Sequence, residues 1–253
     1  MANEYTIYLD YESSTNAGLI ILSPLKLSPL VPRIKRYSVP GRNGDVIISD
    51  GTFENRTATV QACMYVDGRG EYIKEKLANL NEWLFSYLGY RRLETADDPN
   101  HYLMARVSNG PEIAAKATKA ATFTIKFDCK PQRFINDSYT YRFNGSGSFD
   151  SSSSFPSKPL IEVNHGNSGG TGIVGINGTD ITFNLTRIAN DSSSSIYFDT
   201  DTEQTYSVQG DGSVKEYSDV VSYSGEIVVE PGTNDVSSRG VSFVEITPRG
   251  WDL

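Results

Sequence analysis

Strong helix formers almost vanish from this chain after residue 137, and that limits its architecture more than any other feature. Residues 138–253 hold 21 Ser and 14 Gly, but one Ala (Ala189), three Leu and no Met. A helix of any length needs Ala, Leu, Met and similar residues to offset its ordering cost, so the second half is expected to be helix-free. So much Ser and Gly would also suit a disordered tail. Short apolar runs oppose that reading: Leu160 to Val163, Ile181 to Leu185, Ile196 to Phe198, Glu226 to Val229 and Val241 to Ile246. Turn pairs such as Asn177-Gly178, Asp211-Gly212 and Pro231-Gly232 separate them. Short strands so punctuated, over about 100 residues, predict a β-sandwich. The stretch NGSGSFDSSSSF ahead of them reads as a linker or loop, which puts the boundary between two domains, 1–137 and 138–253, near residues 134–150.

The first half reads as α+β. Tyr5, Ile7 and Leu9 share one side of a short strand. Ala58, Val60, Ala62, Met64 and Val66 alternate with Thr59, Gln61, Cys63 and Tyr65, a period of two that predicts a strand buried on one face. Phe123, Ile125 and Phe127 repeat the pattern. Between them Ile73, Leu77, Leu80, Leu84 and Leu88 form one apolar stripe, widened by Trp83 and Tyr87, which predicts a helix over about 71–88 stopped by Gly89. Pro24, Pro29, Pro32 and Pro40 disfavour helix and suggest extended edge chain or a long loop. The alanine-rich stretch 111–121 fits helix or strand-linking chain equally.

Charge separates the halves further. Residues 1–137 carry 17 basic and 16 acidic side chains (+1), and residues 138–253 carry 6 and 15 (−9), which together make the net −8. An acidic second half opposes phosphate contact, so specific nucleic-acid binding is not expected. The opening MANEYTIYLDYESS has no basic region followed by an apolar one, and no apolar run approaches the roughly 20 residues of a membrane helix, so a soluble protein made in a cytoplasm is expected. Cys63 and Cys129 are too few for a disulfide scaffold and read as buried free thiols.

No group of residues specifies a reaction, and no catalytic, cofactor or metal site is expected. Gly166-Asn167-Ser168-Gly169-Gly170 resembles the nucleophile loop of trypsin-like proteases, with Asn where those have Asp. The histidines His101 and His165 lack that family's context, so a Gly/Ser turn is the better reading. Two histidines and no Cys-x-x-Cys cannot build an ordinary zinc site. Asp97, Asp98 and His101 could offer ligands, but a solvated acidic loop explains them as well. Asp199, Asp201 and Glu203 alternate without a calcium loop's glycine or terminal glutamate; as a strand they would share a face and repel, which suits the surface.

One segment is more specific. Val39-Pro40-Gly41-Arg42-Asn43-Gly44-Asp45-Val46 continues through Ile47-Ile48-Ser49-Asp50-Gly51-Thr52-Phe53 into Glu54-Asn55-Arg56-Thr57. It resembles the N-terminal signature of the distal tail (Dit) proteins of long, non-contractile-tailed phages: a Pro-Gly-Arg-x-Gly turn, a short apolar strand, then a (Tyr/Phe)-Glu-Asn-Arg box. The close Val244-Glu245-Ile246-Thr247-Pro248-Arg249-Gly250-Trp251 resembles that family's Ile-x-Pro-Arg-aromatic ending, with Gly250 where a bulkier residue is common. The resemblance implies a virion structural protein with no enzymatic role. Its first half would form a six-fold ring at the tail tip, single or as two rings back to back, joining the tail tube to the adsorption proteins and leaving a lumen for DNA. The second half would be a galectin-like or carbohydrate-module-like sandwich; an adhesin role toward host wall polysaccharide is the alternative function.

Overall fold

The computed structural model describes residues 5–66, 72–117, 119–136, 139–166, 169–188 and 193–253. The chain divides into two compact units, residues 1–136 with Leu253 and residues 137–252. Among the described residues, no helix is long and apolar enough to cross a membrane.

The first unit contains β1 (Ile7–Leu9), β2 (Glu12–Ser13), β3 (Ile20–Ile21), β4 (Lys26–Leu27), β5 (Pro32–Tyr37), β6 (Val46–Phe53), β7 (Arg56–Tyr65), α1 (Ile73–Phe85), β8 (Arg91–Thr95), β9 (Asp98–Lys116) and β10 (Ala120–Ile135). Its main sheet runs β2-β1-β8-β9-β10-β7-β3, with β4 also on β7. The alternation read from the sequence sets which face is buried: Ala58, Val60, Ala62 and Met64 of β7 and Phe123, Ile125 and Phe127 of β10 are nearly inaccessible, as are Ile7 and Leu9 of β1. Ile73, Leu77, Leu80, Trp83 and Leu84 of α1 close this core, and the helix packs on β7 and β9.

The helix is shorter than its stripe suggested. It ends at Phe85, leaving Tyr87 and Leu88 outside it and exposed, while Glu71 lies outside the described residues. Arg91 supplies the reason. This buried guanidinium donates to the carbonyls of Trp83 (3.2 Å) and Leu84 (3.3 Å) and to Ser86 Oγ (3.2 Å), so the last turn's acceptors are satisfied from outside the helix. Within the alanine-rich stretch, residues 111–116 are the end of β9 and residues 120–121 the start of β10. There Ala121 pairs with Lys116 and Thr122 with Ala115, a cross-strand ladder that overrides helix propensity. Four register irregularities interrupt the β9–β10 ladder, the kind of defect that bends and twists a long hairpin.

The second unit is a two-sheet antiparallel sandwich. Its strands are β11 (Tyr141–Phe143), β12 (Gly147–Ser151), β13 (Leu160–Asn164), β14 (Thr171–Ile176), β15 (Thr179–Asn184), β16 (Ser195–Asp199), β17 (Gln204–Val208), β18 (Val214–Tyr217), β19 (Val221–Tyr223), β20 (Gly232–Arg239) and β21 (Phe243–Thr247). One sheet runs β11-β21-β13-β16-β17-β18 and the other β12-β20-β14-β15-β19. Ile161, Val163, Phe183, Phe198, Val244 and Ile246 are among the side chains filling the core between them. Only a single turn of 3-10 helix, Leu185–Arg187, occurs among its described residues, as the absence of helix formers requires.

Two sequence expectations for this half are corrected. The expected linker contains β12, which pairs with β20 and buries Phe149 against Tyr141 (ring centroids 4.5 Å apart), so one aromatic residue turns a Ser/Gly stretch into part of the core. Glu226 to Val229 is not a strand: only Val229 forms a bridge, to Ser157, while Ile227 and Val229 fill the core. Apolar side chains there serve burial rather than a ladder.

Candidate functional site

The signature segment folds into a feature of its own. β5 and β6 pair only with each other, as an antiparallel ribbon over 32–53. Arg42 N–H donates to Val39 O (3.1 Å), closing a turn with Pro40 and Gly41 at its centre. Pro40 presets φ at the second position and Gly41 takes φ +79° at the third, a left-handed value that a side chain would strain; this is the pattern of a type II turn. The Pro-Gly-Arg element of the signature is therefore the geometry of the ribbon's end.

The Glu-Asn-Arg-Thr element is its root. Glu54 N–H donates to Val31 O (2.9 Å), Thr57 N–H to Ser28 Oγ (2.9 Å) and Ser28 N–H to Thr57 O (2.9 Å). Arg56 Nε donates to Ser28 O (3.0 Å), clamping the incoming strand to the outgoing one. Asn55 Nδ2 reaches Tyr90 Oη (2.6 Å) and Asp128 Oδ1 (2.9 Å), while Arg106 Nε donates to Asp128 Oδ2 (2.9 Å). Partial burial works against ionisation of Asp128, but the hydrogen bonds from Arg106, Asn55 and Tyr90 outweigh it and hold the carboxyl below its ordinary range. The root is thus fixed to β10 by an ionic network, while nearly every side chain of the ribbon is exposed, including Tyr37, Ile47 and Ile48.

The C-terminal motif is a set of locks within the sandwich. Arg249 forks onto Asp199, Nη1 to Oδ1 at 2.7 Å and Nη2 to Oδ2 at 2.9 Å. Ser157 Oγ donates to Pro248 O (2.6 Å). Trp251 stacks on Phe155 with centroids 4.6 Å apart, and its indole N–H donates to Pro156 O (3.0 Å).

The residues tested for chemistry are occupied otherwise. Asp98 borders a hollow of about 150 Å³ together with Asp97 and His101. Its Oδ1 meets His101 Nδ1 at 2.9 Å and its Oδ2 accepts from Arg133 Nη2 at 2.7 Å. Desolvation opposes its charge, and the bonds from His101 and Arg133 prevail, leaving its pKa lowered. Asp199, Asp201 and Glu203 do not share a strand face: Asp199 ends β16, its Oδ1 accepts Asp201 N–H (2.9 Å), and Glu203 takes φ +58° in the turn before β17. No group of three or more His, Cys, Asp and Glu side chains is placed to hold a metal among the described residues. Ser168 and Asn167 of the protease-like pentapeptide lie outside the described residues, and His101 and His165 belong to different units. Cys129 is buried, with its thiol pushed up to about 12 mainly by desolvation, so it stays protonated and inert; Cys63 is a half-buried free thiol on the other face of β7.

What sequence reasoning missed is the outer face of the six-stranded sheet. Arg142, Glu245, Glu162, Tyr197, Tyr206 and Glu216 stand directly opposite one another on successive strands, a continuous polar and aromatic row. Tyr197 and Tyr206 stack at 5.3 Å, and burial followed by the Glu162 carboxylate raises the Tyr197 pKa to about 12. The period-two alternation of each strand could have suggested the residues, but the register that lines them up is not written in any one strand.

Comparison with known proteins agrees with this architecture. Residues 13–129, most of the first unit, match the phage tail protein RIFT-related domain family. The whole chain has the fold of a distal tail protein. The crystal structure of SPP1 Dit, described as a paradigm of the hub adsorption apparatus in phages that infect Gram-positive bacteria, matches with a TM-score of 0.64 at 14% identity, over 98% of this chain and 99% of that one. No curated protein matches the sequence. The likeness read from Val39 to Thr57 holds in domain family for residues 13–129 and in fold for the whole chain.

Proposed function

We propose that this protein is a non-enzymatic hub at the phage tail tip, in which six first units form a ring that joins the tail tube to the adsorption apparatus and leaves a lumen for DNA. The observation that carries the reading is the ribbon: the family signature is spent on its end and its root, and it is left uncovered in the isolated chain. An isolated two-stranded ribbon is at best marginally stable in water, so such a structure is built for contact. The fold likeness to SPP1 Dit supports the same role. The near-neutral first half lets copies approach without strong repulsion, and the acidic second half keeps the assembly soluble. The test is mass in solution followed by negative-stain microscopy. A ring of six, or two such rings stacked, supports the hub; a strict monomer at high concentration overturns it.

A second reading rests on the outer face of the sandwich. The row from Arg142 to Glu216 offers planar hydrogen-bonding groups beside aromatic rings, the chemistry that grips sugar hydroxyls and sugar faces. Titration of the full chain with host wall polysaccharide tests it. Binding lost in Tyr197→Ala with the fold intact supports an adhesin role, and no binding at high sugar concentration leaves the scaffold alone.

A further inference from the structure

One hairpin of the first unit goes against the preference of its own turn. Leu9 pairs with Glu12, so Asp10 and Tyr11 alone make the turn from β1 to β2, with φ of +48° and +68°. Two consecutive left-handed residues are the pattern of a type I′ hairpin, where glycine is the usual second residue because it takes that angle without strain. Here a tyrosine bears the strain and is 72% exposed. Strain kept by a bulky side chain that buries so little of itself points to a use for that side chain.

Tyr11 borders a hollow of about 470 Å³, a size that suits a ligand. Tyr8 and Pro99 add apolar lining, and Glu94 and Asn136 polar lining. Glu94 Oε1 accepts from Arg92 Nη2 (2.7 Å) and Asn136 Nδ2 (3.0 Å), whereas its Oε2 takes no hydrogen bond among the described residues. Arg92 is already enclosed, its guanidinium 3.9 Å from the Tyr102 ring centroid and 5.0 Å from that of Tyr11. Residues 7–13 and 91–99, which hold this hairpin and the β8–β9 turn, carry Arg91 and Arg92 against Asp10, Glu12, Glu94, Asp97 and Asp98, a net of −3. Both arginines are turned inward, their side chains 8% and 20% exposed, while Asp10, Glu12 and Asp97 are exposed. Water therefore meets aromatic rings and carboxylates here, and hardly any positive charge.

We propose that this hollow binds a lysine or arginine side chain carried on an extended basic segment of a partner protein, the cation lying on the Tyr8 and Tyr11 rings with Glu94 Oε2 and Asp10 as counter-charges. The ligand class follows from the chemistry: ring faces attract cations, and the nearby carboxylates favour a cation further while repelling an acidic peptide. The tight turn holds Tyr11 in place beforehand, so little ordering is lost on binding. The inference needs no contact between copies of this chain and is independent of the ring.

The test titrates the full chain, with isotope-labelled tyrosine, against tri-arginine or trilysine amide. The Tyr8 and Tyr11 resonances, assigned through Tyr8→Phe and Tyr11→Phe, are expected to shift and saturate, and added salt to weaken the binding. Triglutamate and chitotriose are expected to leave both resonances in place. Tyr11→Gly is expected to raise the dissociation constant about threefold or more. Its unfolding temperature should stay close to that of the wild type, because relief of the left-handed φ offsets the lost contact with Arg92. Resonances that stay in place with both basic peptides overturn the proposal, as does equal binding by Tyr11→Gly. Shifts with chitotriose alone overturn it and assign the hollow to sugar. A Tyr11→Gly chain that unfolds several degrees lower gives the ring a structural duty on Arg92 and overturns it too. Loss of rings in Tyr11→Gly, with no shift from either basic peptide, overturns it and assigns the hollow to a second copy.

Discussion

Replacing Asn234 should unfold the second unit more readily than any other single polar substitution in it. Asn234 sits on β20 with no accessible surface and makes four hydrogen bonds. Its Nδ2 donates to Glu230 O (2.8 Å) and Gly232 O (2.9 Å), and its Oδ1 accepts from Glu230 N–H (2.7 Å) and Asn177 Nδ2 (2.7 Å). Asn177 in turn accepts Asp235 N–H (3.0 Å) at the Asn-Gly turn between β14 and β15. One amide thus ties two turns together. Asn234→Ala strands up to four polar groups in a dry place, each costing about 1–3 kcal/mol; with water repairing some of them, the expected loss is about 3–5 kcal/mol. Asn234→Asp keeps the shape but sets a carboxylate against two carbonyl oxygens. Its folded-state pKa is then raised above the ordinary 3.9 or so of an unfolded aspartate, and protonation restores one donor. The sign follows: stability is lost as pH rises through the raised folded pKa, so the deficit against wild type is large at neutral pH and shrinks as pH falls toward about 4. Urea unfolding followed by Trp251 fluorescence, in a Trp83→Phe background, follows the loss of the Trp251–Phe155 stack. A loss under about 1 kcal/mol for Asn234→Ala, or a deficit for Asn234→Asp that grows on acidification, would refute the reasoning.

Three further outcomes can be checked. Asp199 is held below its ordinary pKa because the Arg249 bonds outweigh the desolvation that opposes its charge, so the stability difference between wild type and Asp199→Asn should be constant above about pH 4 and fall away below it; a difference that is flat down to pH 2 would remove the ion pair from the account. Gly240 has φ +72° and a Cβ built there would lie 2.2 Å from Thr171 O, so Gly240→Ala should cost several kcal/mol in thermal unfolding, whereas Gly212→Ala, at φ +82° with open space around it, should cost about 1 kcal/mol. Asn55→Ala removes the root's bonds to Tyr90 and Asp128 and should cost about 1–2 kcal/mol while speeding tryptic cleavage at Arg33, Arg36 and Arg42; unchanged cleavage would mean the ribbon needs no such anchor.

The sequence alone determined the class of each half. Period two in β7 and β10 and the period near 3.6 in α1 record which face must leave water, and burial follows those periods closely. The helix-poor composition of residues 138–253 excluded all but a β architecture for the same reason: local propensity and amphipathic period are properties of neighbours in the chain. The signature segment also carried its own turn, since Pro40 and Gly41 prescribe backbone angles locally. Tertiary structure decided whatever depends on partners distant in sequence. Arg91 ends α1 early from outside the helix, and Phe149 recruits a Ser/Gly stretch into the core. Glu226 to Val229 fills the core without joining a ladder. Strand register aligns six side chains from Arg142 to Glu216 on one face. The ribbon shows both influences. Its end could be read from the sequence, but that β5 and β6 pair only with each other, leaving both faces open, was set by the sheet that took every other described strand of the first unit and gave these two no place.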